Sequence, residues 1–155
     1  MLISATGSNR DEAGFTLVEL MVVMVIVGLM TAAAVLTIPD PRGRVTDDAE
    51  GLAARMVAAR DLAIVGGRDI GVRIDGAGYE FSRRRPGGWE AVPAKALAPR
   101  RWGEGIETAV DVEGGAMVFD STGQATPGTV TLRRGGAGVM VSVESGGAVR
   151  VDATR

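Results

Sequence analysis

The hydrophobic pattern along this chain changes character twice. From Phe15 to Ile38 it reads FTLVELMVVMVIVGLMTAAAVLTI, apolar on every face and carrying a single charge, Glu19. At about 1.5 Å of rise per residue the run predicts roughly 36 Å of helix, enough to cross a hydrocarbon core about 30 Å thick. Valine and isoleucine are mediocre helix formers in water, but in lipid a lone segment can satisfy its backbone only as a helix. Ile38-Pro39-Asp40-Pro41 then interrupts the pattern, because proline lacks an amide proton and crowds the preceding turn. A second helical period follows, with Leu52, Met56, Ala59 and Ala63 on one stripe. Asp47, with Glu50 three residues on, reads as its N-cap, and Gly66-Gly67 as its stop. The N-terminal helical region is therefore expected over residues 15–65, with 15–38 as a membrane or assembly segment and a break near 39–41.

After Gly67 the period becomes two. Ile70, Val72 and Ile74 point one way, Asp75-Gly76-Ala77-Gly78 makes a turn, and Tyr79 with Phe81 resumes the alternation, which predicts a β-hairpin. Further strands are expected at Trp89 to Val92, Ile106 to Val112, Ala116 to Phe119, Thr129 to Leu132, Val139 to Val143 and Ala148 to Val151. The joints Ser121-Thr122-Gly123, Gly135-Gly136 and Gly146-Gly147 carry turn chemistry. Residues 66–155 thus predict one small antiparallel β domain.

Composition narrows what such a chain can do. Its 155 residues contain neither cysteine nor histidine. That removes disulfides, thiolate nucleophiles, the usual zinc ligands and the commonest general base. Asp120-Ser121 has no histidine to work with, and no nucleophile motif precedes a helix as a hydrolase elbow requires. No catalytic residue, metal or cofactor is expected, and the chain does not read as an enzyme. With 23 glycines and 4% aromatic residues, tight turns and a core of small side chains are expected. A net charge of -2 supplies no bulk attraction to nucleic acid, so any such binding must rest on a local patch.

The start of the apolar run carries the strongest functional signal. A secretory signal peptide has an apolar core of about 7 to 15 residues before its cleavage site, and this run is longer and holds a carboxylate near its beginning. A plain anchor gains nothing from that carboxylate, which is costly within a bilayer. Gly14-Phe15-Thr16-Leu17-Val18-Glu19 resembles the processing motif of type IV prepilins and of the pseudopilins of type II secretion. The resemblance implies a leader over residues 1–14, cleavage between Gly14 and Phe15 by a membrane prepilin peptidase, and N-methylation of Phe15 by the same enzyme. It also implies an assembly role for Glu19, fifth in the mature chain, which can answer the new ammonium of Phe15 on a neighbouring subunit. Family leaders are usually basic, whereas residues 1–14 set Arg10 against Asp11 and Glu12.

Later motifs extend the resemblance. Ala59-Arg60-Asp61-Leu62-Ala63-Ile64 with Gly66, then Val118-Phe119-Asp120 with Gly123, Pro127-Gly128 before Thr129, and Gly147 before Val149-Arg150-Val151 resemble the H-type minor pseudopilin and its relatives among type IV minor pilins. The implied fold is α+β and pilin-like: a long N-terminal hydrophobic helix followed by a small, β-sandwich-like antiparallel domain. The implied role is structural, near the tip of a pseudopilus. The protein would be held by a single span in the inner membrane with residues 66–155 in the periplasm, and its partners would be other minor and major pseudopilins and exported proteins. The alternative is a type IV minor pilin that binds DNA during uptake. It rests on Arg83-Arg84-Arg85, Arg100-Arg101, Arg133-Arg134, Arg150 and Arg155, which could neutralise phosphates if they converged, with Trp89 and Trp102 nearby to stack on bases.

Overall fold

A computed structural model of the protein describes residues 16–36 and 41–154. The chain divides into two units, residues 1–39 and 40–155, each taken separately below.

The described part of the first unit is helix α1, Leu17–Leu36. Its 20 residues correspond to about 30 Å along the axis. Leu17, Met21, Met24, Val25, Leu29 and Met30 are all exposed, and the segment Leu17–Ala34 is long and apolar enough to cross a membrane. Thr31, a polar residue in this run, returns its hydroxyl hydrogen to the Val27 carbonyl at 2.8 Å, so the helix itself satisfies the group.

The second unit opens on helix α2, Pro41–Gly66, and the break expected at residues 39–41 falls partly on residues 37–40, outside the described residues. The helix begins six residues before the Asp47 cap expected from sequence. Pro41 is its first residue, where the missing amide proton costs nothing because first-turn amides lack intrahelical partners. Asp47 is an exposed residue inside the helix. The early start lengthens the apolar stripe to Val45, Ala49, Leu52, Met56, Ala59 and Ala63, all of them fully buried. Spacings of three and four residues keep these side chains on one face.

That face packs on two antiparallel sheets. The first has strands β1 (Ile70–Ile74), β2 (Gly78–Arg85), β3 (Gly88–Ala91), β4 (Arg100–Arg101) and β6 (Met117–Phe119). Their order is β3-β2-β1-β6, with β4 pairing β2. The second has β5 (Glu107–Val112), β7 (Gly128–Arg134), β8 (Ala137–Val143) and β9 (Val149–Thr154), in the order β5-β7-β8-β9. Helix α2 contacts β1 and β6 of the first sheet and β7, β8 and β9 of the second. Ile70, Val72, Phe81, Met117 and Phe119 join Val130, Leu132, Val139, Val141 and Val143 in one core beneath it. The alternation that predicted the hairpin is visible as burial: Val72 and Phe81 face each other inside, while their neighbours Arg73 and Glu80 face out. In the turn, the Asp75 carboxylate accepts from the amides of Ala77 at 2.8 Å and Gly78 at 3.0 Å.

Strand β4 has no apolar alternation and was not expected. It pairs with β2 because Gly78 lacks a side chain, since a Cβ there would lie 2.1 Å from the Arg100 carbonyl oxygen. Ile106, expected to open a strand, is instead a buried residue just before β5.

Candidate functional site

The first turn of α1 is built by Thr16. Its hydroxyl oxygen accepts the Glu19 amide proton at 3.2 Å, and its carbonyl accepts that of Leu20 at 3.1 Å. Thr16 is therefore the N-cap, and Glu19 stands three residues in, where a carboxylate also faces the positive end of the helix dipole. Thr16-Leu17-Val18-Glu19 has the spacing of a capping box. That signal lies within the sequence itself, in the same residues as the prepilin-like motif. Gly14 and Phe15 lie outside the described residues. Glu19 is exposed, so its carboxylate is open to a partner from outside the chain.

Among the described residues, Arg83, Arg84, Arg85 and Arg150 are each engaged within the chain. Arg83 and Arg85 both converge on Glu90, their Nε atoms 2.6 Å and 2.8 Å from its carboxylate. Those bonds, Arg83 first, hold the Glu90 carboxyl below its ordinary range. Arg84, on the opposite face of β2, lies over the Trp89 ring at 5.3 Å. Arg150 pairs with Glu144 at 2.8 Å. Arg133 and Arg134 stand at the end of the second sheet, and Arg155 is outside the described residues. Trp102 is a buried anchor whose indole N–H donates to the Asp75 carbonyl at 2.8 Å and whose ring lies 4.9 Å from that of Tyr79. Trp89 is 43% exposed, with its ring across Gly71. Burial pushes the Tyr79 hydroxyl pKa up, against the pull of the Arg55 guanidinium 5.6 Å from its ring.

The motifs of the C-terminal half meet the end of α2. Asp120 organises the turn after β6, its carboxylate accepting from the Thr122 hydroxyl at 2.7 Å and from the amides of Thr122 at 2.8 Å and Gln124 at 3.0 Å. These bonds, the hydroxyl's foremost, lower its pKa. A Cβ on Gly123 would lie 2.9 Å from Ile64 Cδ1, and one on Gly147 would lie 2.0 Å from the Gly123 carbonyl oxygen. Arg60 runs over both glycines. Residues far apart in sequence thus form one seam between helix and turns. Among the described residues no group of three or more acidic side chains is placed to hold a metal ion.

A capped apolar helix at the N-terminus joined in sequence to a two-sheet domain defines the class, and residues 9–35 match the prokaryotic N-terminal methylation motif. Residues 48–147 match the model described as Type II transport protein GspH, and the chain belongs to that family. Type II secretion system protein H of Aeromonas hydrophila is 28% identical over 111 residues, which cover 68% of this chain and 61% of that relative. The match thus spans less than two-thirds of the relative's length. Among solved structures, the minor pseudopilin EpsH of the Vibrio cholerae type 2 secretion system superposes with a TM-score of 0.66 at 22% identity, covering 75% of this chain and 98% of that one. The type IV minor pilin FimU of Pseudomonas aeruginosa gives 0.59 at 19% identity, with 74% and 95% covered. The α+β, pilin-like fold expected from sequence is the fold these neighbours share. Family membership and the exposed apolar α1 together fit a membrane-anchored protein.

Proposed function

We propose that this chain is a minor pseudopilin of type II secretion, cut between Gly14 and Phe15 and methylated on Phe15. It is anchored in the inner membrane by α1 with its β domain in the periplasm, and it starts or caps the pseudopilus with other pseudopilins. Its work is mechanical and not enzymatic. The observation that carries the reading is the Thr16-capped first turn presenting an exposed Glu19, in a chain whose later residues match GspH. Cleavage would place an ammonium on Phe15 within reach of such a carboxylate on an adjacent subunit, and two opposite charges are tolerated in lipid where either alone is not.

Two measurements test this. Mass spectrometry of assembled protein is expected to find an N-terminal methyl-Phe15, and an intact Met1 leader would overturn the processing step. Glu19→Ala is expected to leave membrane insertion and the β domain unchanged while the variant no longer co-purifies with the other pseudopilins. Wild-type recovery of that complex would refute the role given to Glu19. The type IV minor pilin reading is supported by the likeness to FimU alone, and the GspH match over residues 48–147 favours secretion.

A further inference from the structure

The end of the second sheet at the β7–β8 turn has a chemistry that assembly through α1 leaves unused. In register, Glu107 of β5 stands opposite Arg133 of β7, Arg133 opposite Gly138 of β8, and Gly138 opposite Thr154 of β9, a single row across the sheet. Beside it, Arg134 pairs with Ala137 around Gly135 and Gly136, whose φ values of 55° and 81° belong to a tight hairpin turn that glycine makes without strain. These residues and Gly105 line a cavity of about 430 Å³.

Two buried polar atoms of this cavity, Arg134 Nη1 and Thr154 Oγ1, stand without a hydrogen-bond partner among the described residues. Nor does Arg133 or Arg134 form an ion pair among them, in contrast to Arg83, Arg85 and Arg150, which have found Glu90 and Glu144. A buried guanidinium proton without an acceptor is unfavourable, and native structures supply one. The charge of the lining says which kind. Among the described residues, two guanidinium groups against the Glu107 carboxylate leave a net of about +1, which one carboxylate neutralises and a phosphate dianion overshoots. Gly136 has nothing within 4 Å of where a Cβ would be, so a ligand that carries its own main chain can come close there.

We infer that this cavity receives a single carboxylate, presented as an aspartate or glutamate side chain of a protein partner. Arg134 forms the charge-assisted pair and the Thr154 hydroxyl adds a hydrogen bond. The site lies outside Gly14, Phe15 and Glu19, so it stands or fails independently of the processing and assembly reading.

The test is an NMR titration of the full chain in detergent micelles with N-acetyl-aspartate N-methylamide, its asparagine counterpart and inorganic phosphate. The aspartate probe is expected to shift the Gly135 and Gly136 amides and the Arg134 guanidinium signal saturably. Arg134→Gln is expected to weaken it by about tenfold or more with the remaining amide spectrum intact, while Arg150→Gln binds as the wild type does. The inference is overturned by an absent or unsaturable aspartate response, by equal binding of the asparagine probe, by tighter binding of phosphate, or by an Arg134→Gln chain that binds unchanged.

Discussion

Single residues decide how closely the helix and the turns of the β domain approach. Gly147 has a φ of +76° and sits so near the Gly123 carbonyl that a methyl group has no room, whereas Gly146 beside it has nothing within 4 Å of where a Cβ would be. Gly147→Ala is therefore expected to destabilise the domain by about 2–4 kcal/mol, and Gly146→Ala by no more than about 0.5 kcal/mol, in urea unfolding followed by circular dichroism. The glycine pair was legible in the sequence as a turn. Which of the two is irreplaceable was not, because that depends on a carbonyl more than twenty residues away. Asp120 carries a pH dependence of definite sign. Its folded pKa lies below the ordinary 3.8, so its contribution is fully present above that value and is lost as pH falls through the lower folded value. Asp120→Asn is expected to be less stable than wild type at about pH 7, and the gap should narrow by about pH 3. A gap of constant size in urea midpoints would show that the charge plays no part.

At the scale of elements, α2 ties the two sheets together through its buried stripe. Met56→Ala is expected to cost about 2–5 kcal/mol, while Val57→Ala, on the 41% exposed neighbour, changes stability by about 0.5 kcal/mol or less, as read by thermal unfolding. The centre of this stripe was readable because Leu52, Met56, Ala59 and Ala63 keep helical spacing without help. Its beginning was not, because two prolines signal an end more strongly than Val45 and Ala49 signal a continuation. The hairpin of β1 and β2 was equally readable, since alternation and an Asp-Gly turn agree there. Strand β4 was hidden because its partner selects it by vacant space at Gly78 rather than by any pattern of its own.

For the whole molecule, the contrast between the apolar, exposed α1 and the compact unit from Asp40 onward predicts different solubilities. Full-length protein is expected to need detergent for extraction, and a chain beginning at Asp40 is expected to remain in aqueous buffer with a single cooperative melt. Recovery of the full chain from a washed membrane without detergent would contradict the anchor. With Arg83 and Arg85 held by Glu90 and Arg150 by Glu144, the domain is expected not to retain duplex DNA at about 0.15 M salt, which an electrophoretic shift assay checks.

Local order alone determined the apolar helix, the N-terminal methylation motif, the amphipathic stripe and most strands, because each is written in a short motif, a period or a turn that neighbouring residues share. Even the Thr16 cap belongs to that local set, three residues from the group it serves. Tertiary structure alone decided that Arg83 and Arg85 spend their charge on Glu90, that Gly147 must accept Gly123, and that Arg133, Arg134, Gly138 and Thr154 gather around one cavity. Such pairings are set by strand register and by space between distant segments, and neither quantity is encoded at any one position of the chain.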